Sequence, residues 1–202
     1  MLQNLKELLF LNKILILSFM SSKIIKLIEN QKKIPIIGKG TSIDIKNKFN
    51  RLVLNKYSVI EITLRSDEAL ETSIELKNQN PDINIGLGSI KSLSVLKEVA
   101  KLKFDFYISP GINKQMLDFA NKNDILFIPG VSTPSEILTA IEHDCKLLKY
   151  FHAERNGGAN SLKFLEEIFN DIRFIPTGGI NGENMDDYFA LDNVIAVGST
   201  NF

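Results

Sequence analysis

Cysteine is almost absent from this 202-residue sequence: Cys145 is the only one. A single cysteine excludes a disulfide framework and any cysteine-based metal cluster. It reads as a core residue of a reduced, cytoplasmic protein. Histidine is scarce too, and the pair His143 and His152 is too small for a His-rich metal site. Neither charge sign is in excess: 24 Lys+Arg against 24 Asp+Glu give a formal net charge of zero. The sequence therefore offers no basic surface for nucleic acid and no acidic tail. The apolar stretch Leu8 to Phe19 is broken by Asn12 and Lys13 and is too short to span a bilayer, so no membrane partner is expected. No small-residue cleavage site follows it. Residues 1–19 read as an extra amphipathic segment or an upstream start of translation, with no function assigned, and residues 20–202 as one domain. Ser21-Ser22, after Met20, is an N-cap for a helix from Lys23 to Asn30.

What is present is an alternation of strand-like and helix-like runs. Strands are expected at Ile34–Ile37, Val59–Arg65, Ile83–Ser89, Phe104–Ile108, Ile125–Ile128, Leu147–Phe151, Arg173–Ile175 and Val194–Val197. Helices between them are expected from a cap at Ser42 or Asp44, from Asp67 behind a Ser66 cap, from Ser92, from Asn113, from Ser135 after Ser132-Thr133-Pro134, from Ser161 and from Glu183. Eight strands separated by helices are βα units, which require a parallel sheet. The fold class expected is α/β, a (β/α)8 TIM barrel. An open doubly wound sheet is the alternative, weakened because no Gly-x-Gly-x-x-Gly follows the first strand. The sequence stops three residues after Ser199, so the last outer helix is read as missing. The helix from Lys23 is expected to cap the barrel bottom, and the bare flank to need another cover, such as a neighbouring subunit.

The chemistry gathers at strand ends. Lys149 lies within the apolar run Leu147 to Phe151, where an ammonium is costly unless paired or solvated. It is either a strand-end lysine reaching water or an amine nucleophile for a ketone. Glu61, Thr63 and Arg65 share one strand face by the two-residue period. Glu61 and Arg65 there form either a structural salt bridge or a proton shuttle with a carboxylate clamp. Ser89 places a hydroxyl at the rim, beside Ser109-Pro110-Gly111 and Pro129-Gly130. Gly178-Gly179 and Gly198-Ser199, at adjacent strand ends, suit a phosphate-binding nest of backbone N–H groups, although glycines also simply make turns. By alternation His152 is expected to face away from Lys149, toward the outer helices, and His143 to sit at a helix end.

Ile60-Glu61-Ile62-Thr63-Leu64-Arg65, Ile108-Ser109-Pro110-Gly111, Ile128-Pro129-Gly130-Val131-Ser132-Thr133, Leu148-Lys149-Tyr150-Phe151 with Glu154 and Asn156-Gly157-Gly158, and Pro176-Thr177-Gly178-Gly179-Ile180 follow one another in a particular order and spacing. In this the chain from about Ile34 to Ser199 resembles the bacterial 2-keto-3-deoxy-6-phosphogluconate aldolases, which also cleave 4-hydroxy-2-oxoglutarate. The resemblance implies a cytoplasmic, commonly trimeric barrel enzyme acting on a small 2-keto-3-deoxy sugar acid phosphate, without metal or cofactor. It implies Lys149 as Schiff-base lysine, Glu61 as general acid/base, and Arg65 and Ser89 as the carboxylate site. Gly178, Gly179 and Ser199 would hold phosphate, with Pro110, Phe151, Thr177 and Gly198 completing the pocket. Ser89 stands where the family usually has threonine, and His152 where it usually has proline. Other readings compatible with the residues are a 2-keto-3-deoxy-6-phosphogalactonate aldolase and a catalytically weakened phosphosugar-binding barrel.

Overall fold

Every strand pairs in parallel with its neighbours, and the sheet closes on itself. A computed structural model describes residues 21–202, so the reading of residues 1–19 falls outside the described residues. Residues 21–31 are helical (α1). There follow β1 (Lys33–Ile37), α2 (Ser42–Leu54), β2 (Val59–Thr63), α3 (Ala69–Gln79), β3 (Asn84–Gly88), α4 (Leu93–Ala100), β4 (Phe106–Ile108) and α5 (Lys114–Lys122). Then come β5 (Phe127–Ile128), β6 (Gly130–Val131), α6 (Pro134–Glu142), β7 (Leu147–Phe151), a 3₁₀ turn (Glu154–Asn156), α7 (Gly158–Ile168), β8 (Arg173–Thr177), α8 (Met185–Phe189) and β9 (Val197–Ser199). Among the described residues no helix is long and apolar enough to cross a membrane.

The strand order is β5-β4-β3-β2-β1-β9-β8-β7-β6. Its two ends, β5 and β6, are separated in the chain only by Pro129, which has no N–H to give a ladder. They are one stave bent at a proline. Its first half pairs with β4 and its second with β7, and Lys149 N–H donates to the Pro129 carbonyl at 2.9 Å. The expected (β/α)8 barrel is therefore present with eight staves, the fifth reading as two short strands.

Alternation along each stave sorts side chains into two layers. Leu148, Tyr150 and Phe174 pack outward with Leu162 and Leu165 of α7. Ile34, Val59, Phe106, Leu147 and Ile175 pack inward, and Ile24 and Ile28 of α1 close the bottom of that lumen. The bottom-capping role expected of the first helix is thus met.

Several local expectations need correction. The cap of α2 is Thr41, not Ser42 or Asp44: Thr41 Oγ1 accepts from Asp44 N–H at 3.3 Å and Asp44 accepts from Thr41 N–H at 3.0 Å, a reciprocal capping box. Ser66 caps nothing. Helix α3 starts at Ala69 without a side-chain cap. The acidic residue before it, Glu68, instead accepts from Ser42 N–H at 2.6 Å, satisfying an orphan donor of α2. The last strand is Val197–Ser199, while the expected Val194–Val197 keeps at its start only an isolated parallel bridge from Val194 to Phe174; just before it Asn193 is buried and tied by its side-chain amide to Leu162 O at 3.0 Å. Among the described residues no helix follows β9. The tail is held by Lys48 of α2, which donates to Thr200 O at 2.7 Å and Ile36 O at 3.1 Å. Lys33 lies 5.7 Å from the ring centroid of Phe202.

Candidate active site at the carboxyl ends of the strands

Lys149 and Glu61 meet across the lumen. Glu61 is on β2 and Lys149 on β7, four staves apart in either direction around the barrel. Both side chains point inward and are buried, at 2% and 4% exposure. Lys149 Nζ lies 3.5 Å from both carboxylate oxygens of Glu61. It is also 5.4 Å from the ring centroid of Phe151, over the face that favours a cation. The alternative of a strand-end lysine reaching water is therefore overturned. The residue that makes the pairing feasible is Gly88. A Cβ there would stand 1.9 Å from Glu61 Oε1, so only glycine leaves room for the carboxylate on the neighbouring stave. Sequence reading passed over it; the signal available was two glycines in one strand, Gly86 and Gly88, where glycine weakens pairing without cause.

Around this pair the rim is polar on two sides. Strand β2 ends at Thr63, whose Oγ1 donates to Ile37 O at 3.0 Å. Arg65 therefore stands beyond the strand, exposed, rather than within it. Its Nε donates to Ser89 Oγ at 2.8 Å, with Ser89 held in a left-handed conformation (φ 63°). Arg65 and Ser89 are thus brought together. A cavity of about 460 Å³ opens beside them, lined by Lys39, Thr41, Asp44, Arg65, Ser66 and two further acidic residues.

On the other side Gly178 and Gly179 both adopt positive φ, 104° and 81°, which side chains disfavour. Ala153 N–H donates to Thr177 O at 2.8 Å and Glu154 N–H to Gly178 O at 3.1 Å. Because N–H and C=O lie on opposite sides of a trans peptide, the Gly178 and Gly179 N–H groups turn away from the β7 loop. Ser199 completes this corner differently from expectation: its hydroxyl donates to Ile180 O at 2.6 Å and accepts from Asn201 N–H at 3.1 Å. That hydroxyl fixes the β8 loop to the end of β9. Gly198 pairs with Thr177, whose Oγ1 would lie 2.5 Å from an added Cβ. Pro110 lies exposed at the β4 rim, its backbone against Gly130.

His152 is where the sequence reading fails. Strand β7 ends at Phe151, so alternation no longer governs the next residue. Its imidazole does not turn to the outer helices but packs on Gly178 and Gly179. Beyond it, Glu154 accepts a hydrogen bond from Tyr188 of α8, and burial together with that bond pushes the Tyr188 hydroxyl well above the usual phenol range. His143 caps α6, with Nδ1 2.9 Å from Thr139 O and Nε2 3.3 Å from Asp118.

The model of the family described as KDPG and KHG aldolase matches residues 20–202. The KHG/KDPG aldolase of Escherichia coli (strain K12) is 36% identical over 149 residues, 74% of this chain and 70% of that one. The 2-dehydro-3-deoxy-phosphogluconate aldolase of Pseudomonas aeruginosa is 33% identical over 180 residues, 89% and 82% of the two chains. Among solved structures, KDPG aldolase from Legionella pneumophila, with pyruvate captured at low pH as a covalent carbinolamine intermediate, gives a TM-score of 0.80 at 32% identity, covering 84% of this chain and 82% of that one.

Proposed function

The chain belongs to the KDPG and KHG aldolase family, carbon–carbon lyases of carbohydrate metabolism, and from that premise we propose that it cleaves 2-keto-3-deoxy-6-phosphogluconate to pyruvate and glyceraldehyde 3-phosphate through a Schiff base on Lys149. Cleavage of 4-hydroxy-2-oxoglutarate to pyruvate and glyoxylate belongs to the same reading. The observation that carries it is the buried Lys149–Glu61 pair, 3.5 Å apart at the centre of the mouth. A nucleophilic amine needs a proton acceptor beside it, and Glu61 is that group.

The free amine of Lys149 attacks the C2 ketone, and the carbinolamine loses water, with Glu61 moving protons through one water molecule. The resulting iminium is an electron sink. Glu61 takes the proton of the C4 hydroxyl, the C3–C4 bond breaks into the iminium, and the aldehyde leaves an enamine of pyruvate. Protonation at C3 and hydrolysis free pyruvate and the lysine. Arg65 and Ser89, already joined to each other, hold the substrate carboxylate so that C2 faces Nζ. The N–H groups of Gly178 and Gly179 take the phosphoryl group, and Ser199 keeps their turn in place. Pro110, Phe151, Thr177 and Gly198 wall the pocket. A cytoplasmic homotrimer is part of the same reading, and sedimentation at three times the 22.7 kDa chain mass checks the assembly.

Incubation with pyruvate and borohydride tests the chemistry. A reduced pyruvyl adduct is expected on the Lys149 peptide, and an unmodified Lys149 would sink the Schiff-base reading.

A further inference from the structure

One polar side chain in the mouth has no part in the steps above. His152 Nδ1 is buried and has no hydrogen-bond partner, although the residue as a whole is only half-buried. A buried N–H without an acceptor is a costlier and rarer orphan than a bare acceptor. With Nδ1 as the bare acceptor, the N–H of the ring is Nε2.

The ring's position follows from its contacts with the double glycine. Its Cγ, Cδ2 and Nδ1 lie 2.7, 2.8 and 2.8 Å from where a Gly178 Cβ would stand, and Cε1 lies 3.5 Å from the corresponding point on Gly179. The proximal half thus lies on Gly178, and the distal edge, which carries Nε2, runs on toward Gly179. Ala153 and Glu154, the next two residues, hold the carbonyls of that turn. A single short segment therefore both shapes the turn and lays an imidazole along it.

Resting on the aldolase reading, we propose that His152 is a specificity-determining residue: the Gly178 and Gly179 N–H groups open away from the β7 loop, but the imidazole lies across their turn, and its Nε2–H reaches past the turn to donate to the phosphoryl group they seat, selecting phosphorylated over unphosphorylated 2-keto acids. The lysine and carboxylate ends of the site, Lys149, Glu61 and Arg65, are shared by both substrates. The nest end is used by only one. Loss of a hydrogen bond to a charged group should thus raise KM for 2-keto-3-deoxy-6-phosphogluconate about tenfold or more. The KM for 4-hydroxy-2-oxoglutarate and both kcat values should hold within about twofold, since none of these involves the lost bond.

The variants are His152→Phe, which keeps an aromatic ring on the glycines without the donor, and His152→Gln, whose amide N–H reaches a similar point. The expected result is a KM rise confined to the phosphorylated substrate in H152F and recovered in H152Q. Equal changes for both substrates, or none for either, would overturn the proposal. Pyruvate–borohydride trapping on wild type and H152F separates the two levels. Without an adduct in the wild type the aldolase reading falls, whereas an adduct in both with no KM split removes the His152 proposal alone. A readout free of turnover is the nitrogen NMR signal of the imidazole, assigned easily because the chain has only two histidines. Inorganic phosphate should shift Nε2 of His152 and leave His143 unmoved; an unmoved His152 signal at saturating phosphate overturns the proposal.

Discussion

The floor and the mouth of the barrel are built by the same staves, two residues apart. Leu147 and Lys149 lie on one face of β7, Val59 and Glu61 on one face of β2, Ile175 and Thr177 on one face of β8. The lower member of each pair joins the apolar plug closed by α1, and the upper member is polar and buried. A step of two residues moves a side chain about 7 Å along a strand, which separates a layer that holds the fold from the polar layer proposed to perform the chemistry. The floor tolerates only volume; the mouth holds a buried ion pair that is weak evidence for stability. The difference is that the floor's residues are there for folding and the mouth's in spite of it.

That contrast can be broken experimentally. The largest effect is expected for Lys149→Met, which should abolish cleavage and, by leaving Glu61 buried alone, cost about 3–5 kcal/mol of stability. Denaturant titration of the double variant Lys149→Met with Glu61→Leu should recover that loss while remaining inactive. A double variant as unstable as the single one would mean that the pair itself holds the barrel together. Next, Glu61→Gln should lower kcat by about 10² to 10⁴, read in steady-state cleavage assays; an unchanged kcat would remove Glu61 from proton transfer. Ile28→Ala, at a fully buried site in the floor, should cost about 2–5 kcal/mol yet leave kcat of the folded enzyme unchanged. The smallest effect concerns Cys145, whose thiol burial pushes up to about 12. The unfolded chain loses that proton near pH 8.5 while the folded chain keeps it, so the unfolded state binds fewer protons and stability falls as pH rises through that window. Cys145→Ala should flatten the decline between pH 8.5 and 10.5, measured by denaturation midpoints.

Most of the barrel was legible because its signal is local. Turn residues and alternating apolar runs mark each stave, and Lys149 within Leu147–Phe151 was conspicuous without any structure. The pairing of Lys149 with Glu61 was not, since 88 residues separate them and their approach depends on how the staves tilt and close. Gly88 was missed for the same reason: its job is to be small beside a residue on the adjacent strand. The boundaries of β9 and α3 moved where Asn193 and Glu68 bond to other elements, which propensity does not register. His152 was misplaced because a rule valid inside a strand was carried one residue past its end.

Pro129 has a consequence for how the molecule divides. The outer packing on one side of it, from Ile37 to Phe127, forms one cluster, and that from Val131 to Val197 another; the lumen belongs to both. A chain cut at that bent stave would yield two pieces, each keeping its own helix-on-sheet layer. One would hold Glu61, Arg65 and Ser89, the other Lys149 and the double glycine. On the proposed mechanism neither piece alone would turn over substrate, and recovered activity on mixing would count reassembled barrels one by one, making catalysis a reporter of complementation.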